Sequence, residues 1–266
     1  MLLFVATILI VSLVLIATVG ARYATWVAAR SKPDPAGAGV LLGAATGLLG
    51  LLIGFTFAMS AERFETRREL VVAEANALST TYLRDSLFPG PAGVRLDALL
   101  TQYGEARLAF FAAGRNPARL AAVAQQTGVL QDEIWRETAA ALRLPQSGPL
   151  TVGVLNSTNE LFDLAASRLA ASVSPVPSAI FWLLAFSALG SAALCGYNVA
   201  LGGTRHRIAT GLVLAMIAAS IALLVDLDWP ARGLITVPQQ PMVSEVADLR
   251  AHELRRATFT VPDLAP

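Results

Sequence analysis

Two carboxylates set two residues apart, Asp226 and Asp228 in LVDLDWPARG, are the side chains of this sequence best placed to do chemistry. Hard oxygen donors at that spacing could join a backbone carbonyl to hold a cation. The same pair could instead punctuate the end of a membrane helix and bridge to an arginine such as Arg63 or Arg67. That structural reading is the stronger one, because acids at a helix C-terminus are repelled by its dipole and need a partner. No other constellation competes. The two histidines, His206 and His252, lie in a turn and in the tail, and they make neither a metal cluster nor part of a triad. Ser60, Ser157 and Ser191 have no identifiable base, and Gly47-Leu-Leu-Gly50 lacks the Gly-Lys-Ser/Thr of a phosphate loop. An enzyme is therefore not expected, and no cofactor is called for. No carboxylate falls inside an apolar run either, so a proton or ion relay through intramembrane acids has no support.

The elements that carry these residues are membrane helices. The chain has 266 residues, of which 55% are hydrophobic and only 15% charged, and its net charge is +1. With a mean hydropathy of +0.59, it lies outside the range of ordinary soluble domains. A near-neutral chain with basic pairs only at Arg67-Arg68 and Arg255-Arg256 offers nucleic acid no electrostatic footprint. Cys195 is the single cysteine, sits in an apolar run and reads as a buried, inert thiol. Lys32 is the only lysine, which together with the abundant alanine suggests a GC-rich bacterial genome.

One stretch, Val40 to Phe88, organises the rest. Its first half, VLLGAATGLLGLLIGFTFAMS, is uncharged and long enough to cross a bilayer. Its second half is charged but holds no Gly or Pro until Pro89-Gly90-Pro91. The pattern predicts one rod of roughly 70 Å that leaves the membrane. At about 100° per residue, Gly43, Gly47, Gly50 and Gly54 share a stripe where another backbone can come close, and packing within one subunit is the expectation. Leu48, Leu52, Phe55 and Met59 share another stripe, which could face lipid, pack on a neighbour or line a pore. Beyond Ser60, the spacing of Phe64, Val71, Ala75, Leu78 and Tyr82 predicts a buried seam, while Arg67, Glu74 and Thr81 read as a solvated line.

Met1 to Val19 reads as a retained first span followed by an interfacial collar of Arg22, Tyr23, Trp26, Arg30 and Lys32. After the Pro89-Gly90-Pro91 break, Leu96 to Phe110 predicts a helix capped by Gly114, and Asn116-Pro117 opens another that runs to Leu142. A further helix covers about 151–172. Spans follow at 179–201 and 208–225, and a short helix is expected from Met242 to Arg256. The fold class is thus all-α: an integral membrane protein with four transmembrane helices and an extramembrane helical bundle between the second and third spans. The segments are 1–59 and 179–225 in the membrane, 60–178 as the helical domain and 226–266 as a tail. Membrane lipid is the expected environment, no protein partner can be named, and the basic residues after the first span favour short turns in the cytoplasm and the helical domain outside.

Several stretches together resemble a known family. The run GLLIGFTFAMSAERFETRRELVVAEANALSTTYLR, the later LNSTNELFDLAASR, the pair Gly196-Tyr197 and the post-span LVDLDWPARGLITVPQQP are similar, in order and over nearly the whole chain, to bestrophin-like bacterial membrane proteins. The resemblance implies four spans in the inner membrane and, through the more remote bestrophins, a homo-oligomeric ion channel lined by the second membrane helix. Leu52, Phe55 and Met59 would then be neck positions. A non-conducting sensor or scaffold is the alternative. Bestrophins bind calcium through consecutive acids after the fourth span. Only Asp226 and Asp228 stand there in this chain, so calcium gating is not carried over. Bestrophins also keep their termini in the cytosol, which conflicts with the orientation drawn from charge.

Overall fold

The computed structural model describes residues 2–88, 90–114, 116–143, 148, 151–202, 207–228 and 233–258. The described residues form eight α-helices and no strand: α1 (Leu2–Ala28), α2 (Pro35–Asp85), α3 (Pro91–Ala113), α4 (Pro117–Ala141), α5 (Thr151–Val173), α6 (Ser178–Gly202), α7 (Arg207–Asp228) and α8 (Gln240–Thr258). Four helical stretches are long and apolar enough to cross a membrane, carried by α1, α2, α6 and α7. In α2 the uncharged part ends at Ala61, before Glu62, and the helix continues for 51 residues in all. The expected single helix from apolar to charged sequence is present. Pro145, His206, Trp229, Pro230, Arg232 and the last eight residues lie outside the described residues.

The chain divides into two compact units: Met1–Phe64 with Pro175–Thr236, and Glu65–Ser174 with Val237–Pro266. The expected tail therefore contributes to both, with 226–236 in the first and α8 in the second.

The first unit packs α1, α6, α7 and the apolar part of α2 around Leu13, Leu49, Leu184, Leu214, Ile221 and Leu224. Its tightest seam joins α1 to α6. A Cβ at Gly20 would strike the carbonyl of Ala193, and one at Gly196 would strike the carbonyl of Ala17. The two backbones thus touch where side chains are missing, as helices in lipid do.

The second unit is a helical bundle whose core includes Leu78, Leu96, Leu100, Tyr103, Ile134, Leu161, Met242 and Leu249. Its punctuation follows the sequence. Pro91 opens α3 behind Gly90 (φ 71°), and Gly114 (φ 60°) closes it with its N–H on Phe111 O. Both glycines hold a backbone conformation that side chains disfavour. Asn116 caps α4 through Oδ1, which accepts from Arg119 N at 3.1 Å.

The buried face of α2 is wider than its apolar seam. Val71, Ala75, Leu78 and Tyr82 are buried as expected, but so are Arg67, Glu74 and Thr81, which the apolar spacing assigned to solvent. Each of the three has internal partners. Arg67 donates to the carbonyls of Ala171 (3.0 Å) and Ser174 (3.2 Å), satisfying the end of α5. The Thr81 hydroxyl lies between the carbonyls of Ala77 (2.8 Å) and Ser157 (3.1 Å). Glu74 meets two arginines, described below. Polar side chains with such partners can be buried without the usual penalty, which is why the periodicity of apolar residues undercounted this face.

Candidate functional site

Around α2 in the first unit, three faces differ. The inward face carries Leu49, Thr56 and Ser60, all buried, with Leu52 and Ile53 against the same core. About 100–160° round the helix from Leu49 lie Gly43, Gly47, Gly50 and Gly54, all exposed. A Cβ on any of the four would meet nothing within 4 Å. Packing of this stripe within the subunit, the sequence expectation, is therefore corrected: the side chains that hold α2 to its own chain sit on another side. The intimate glycine contacts belong to Gly20 and Gly196 instead.

The four pore candidates divide. Leu48 (56% exposed) and Phe55 (66% exposed) point away from the chain, whereas Leu52 and Met59 are half-buried and Leu52 packs against the core. Helical projection accounts for the split. Measured from the buried Leu49, Leu52 lies about 60° round the helix and Met59 about 80°, while Leu48 and Phe55 lie about 100° and 120° away. The quartet is thus a ridge whose two outer members, Leu48 and Phe55, are open and whose inner members are tied to the fold.

A cavity of about 490 Å³ lies beside the α1–α6 seam, lined by Gly20, Tyr23, Asp34, Leu41, Leu194 and Tyr197 among others. Asp34 supplies a carboxylate to this lining, and that group caps α2 by accepting from Ala36 N at 3.0 Å. Among the described residues, the cavity brings together no nucleophile and base.

Asp226 and Asp228 are both buried. Asp226 Oδ2 accepts from the backbone N–H groups of Leu234 (2.8 Å) and Ile235 (3.0 Å), and a Cβ at Gly233 would collide with the same carboxylate. Asp228 Oδ1 accepts from Val176 N at 3.0 Å, tying the end of α7 to the entry of α6. Arg63, one of the expected partners, donates to the carbonyl of Pro175 at 3.3 Å. The two acids thus act as a clasp on backbone N–H groups. Among the described residues, no group of three or more His, Cys, Asp or Glu side chains gathers to hold a metal ion.

The second unit contains a buried ionic cluster that the sequence reading missed. Glu74 is fully buried, and its carboxylate receives Arg107 Nε on Oε1 and Arg168 Nη1 on Oε2, the latter at 2.6 Å. Arg168 also reaches Gln239 Oε1, whose amide nitrogen donates to Val237 O at 3.1 Å. Both guanidinium groups lie over the ring of Phe110, at 4.6 and 5.6 Å from its centre. Beside them, burial first and the Glu74 charge second push the Tyr103 phenol well above its ordinary value. One carboxylate therefore joins α2, α3, α5 and the approach to α8. A signal was present in the sequence: Glu74, Arg168 and Gln239 lie in AEAN, LFDLAASR and QQP, the motifs that carry the resemblance.

A bestrophin-like domain matches residues 8–242 of the chain. The chain belongs to the bestrophin-like family. This bestrophin-like protein also shares its fold with solved structures. A variant of a bacterial bestrophin homologue from Klebsiella pneumoniae is 17% identical, with 94% of this chain and 99% of that one covered and a TM-score of 0.68. A second structure of the Klebsiella homologue is 15% identical, with 97% and 99% covered and a TM-score of 0.68. A structure described as a membrane protein variant is 17% identical, with 93% and 98% covered and a TM-score of 0.70. No match was found among functionally curated proteins.

Proposed function

We propose that this bestrophin-like protein forms a homo-oligomeric ion pore in a bacterial inner membrane, with α2 of each copy around the conduit. The observation that carries this reading is the uncovered side of α2. Its glycines are open and its exposed Leu48 and Phe55 add a large apolar flank, while its Leu49 side is buried in the chain's own core. A glycine face lets the backbone of a second copy approach closely, and a ring of large apolar side chains makes a hydrophobic constriction. In this reading the bundle of the second unit lies outside the membrane, and the basic residues Arg22, near the end of α1, and Arg30 and Lys32, after it, favour its placement on the extracytoplasmic side.

The test pairs mass with conductance. Protein in detergent should have the mass of several copies, and reconstituted protein should conduct ions, with Phe55→Ala changing conductance. A monomeric mass together with silent bilayers at every voltage and ion composition would overturn the proposal. A second reading, a non-conducting sensor, draws on the uninterrupted helix from Pro35 to Asp85. It predicts monomers or dimers and no current.

A further inference from the structure

The cavity beside the α1–α6 seam lies where three helices of the first unit come together: the end of α1, the start of α2 and the C-terminal part of α6. Gly20 and Gly196 draw α1 and α6 into backbone contact, and α2 brings only the small Gly37 and Ala38 to the space beside them, so about 490 Å³ stays unfilled. Leu41 and Leu194 supply apolar wall, while the Asp34 carboxylate and the phenols of Tyr23 and Tyr197 supply polar groups. The volume falls within the range of about 300–1,000 Å³ in which proteins hold small molecules.

An acid and a base stand at this cavity together. Asp34 Oδ1 accepts from Ala36 N at 3.0 Å, which takes one of the roughly four lone-pair directions of a carboxylate and leaves the group able to accept from further donors. The Tyr23 and Tyr197 rings lie 6.2 Å apart, and aromatic faces attract cations. Tyr23 stacks on Trp26 at 5.8 Å, and the Arg30 guanidinium lies 4.0 Å from the centre of the Trp26 ring, so a base is joined to the cavity wall through two ring contacts. Asp34 and Arg30 are both exposed.

We propose that this cavity binds the head group and upper acyl chain of a membrane phospholipid that carries a primary ammonium. The ammonium is received by Asp34 and the tyrosine rings, the phosphate by Arg30, and the first methylenes by Leu41 and Leu194. The depth fits, because Tyr23, Trp26, Arg30 and Lys32 are the aromatic and basic residues that follow the first span, where head groups lie. An acid beside a base matches a zwitterion. A lipid with a phosphate and no cation sets like charge against Asp34, and a quaternary ammonium has no N–H to give the carboxylate. The site does not rest on ion conduction and holds for a pore or a sensor alike.

The experiment offers full-length protein in detergent three lipids in turn, phosphatidylethanolamine, phosphatidylcholine and phosphatidylglycerol, and counts the retained molecules by native mass spectrometry. Wild type should retain phosphatidylethanolamine about fivefold over the other two. Asp34→Asn keeps an acceptor for Ala36 N, so α2 stays capped and the melting temperature should hold, while the preference is lost. Leu41→Trp, at a position 61% exposed, fills the cavity from its apolar side and should bring phosphatidylethanolamine down to the level of the others; it also serves if Asp34→Asn fails to fold. Equal retention of the three lipids by wild type, or an undiminished preference in either variant, would overturn the site. So would an oligomer that retains none of them, because a second copy would then be what fills the cavity.

Discussion

Gly20 and Gly196 form a reciprocal pair across α1 and α6, each occupying the space next to a backbone carbonyl of the other helix, Ala193 for Gly20 and Ala17 for Gly196. Backbone cannot yield as a flexible side chain can, so this seam has no room for even one methyl group. Gly196→Val should destabilise the protein by about 3 kcal/mol or prevent folding. Thermal melting in detergent measures it, and Cys195 next door offers a thiol whose labelling should rise in the variant.

The open glycines of α2 should behave differently. Gly47→Leu adds a side chain to empty space in the single chain, so the monomer should melt within about 0.5 kcal/mol of wild type. Its oligomer mass, measured by light scattering, should fall if copies meet along that face.

Removing Glu74 would leave Arg107 and Arg168 buried together without a counter-charge. Glu74→Ala should therefore cost about 3–5 kcal/mol, far more than a surface acid would. Pairing it with Arg107→Met should recover part of the loss, and a double-mutant cycle in denaturant gives the coupling.

Asp226→Ala removes the buried acceptor of two backbone N–H groups, those of Leu234 and Ile235. A loss of about 2–4 kcal/mol is expected, with Asp226→Asn restoring part of it. Gly233→Ala should mimic the defect from the other side, because its Cβ would push on the same carboxylate. Amide exchange at 234 and 235 reports both.

The sequence by itself determined the spans, the helix breaks and the caps. Uncharged runs of sufficient length, Pro91, Gly114 and Asn116 act through local physics: hydrophobic transfer, fixed φ and unsatisfied end groups. It also displayed, as motifs, the residues that matter most, but not their purpose. Only the tertiary structure decided that Glu74 faces two arginines from distant helices, that Asp226 clasps a returning segment of backbone, and that the stripe from Gly43 to Gly54 lies uncovered while Gly20 and Gly196 make the close approach. The reason is that a buried charge and an exposed one look alike in a one-dimensional pattern. Helical periodicity says which residues share a face, whereas the partner that comes to that face is set by contacts between residues far apart in the chain.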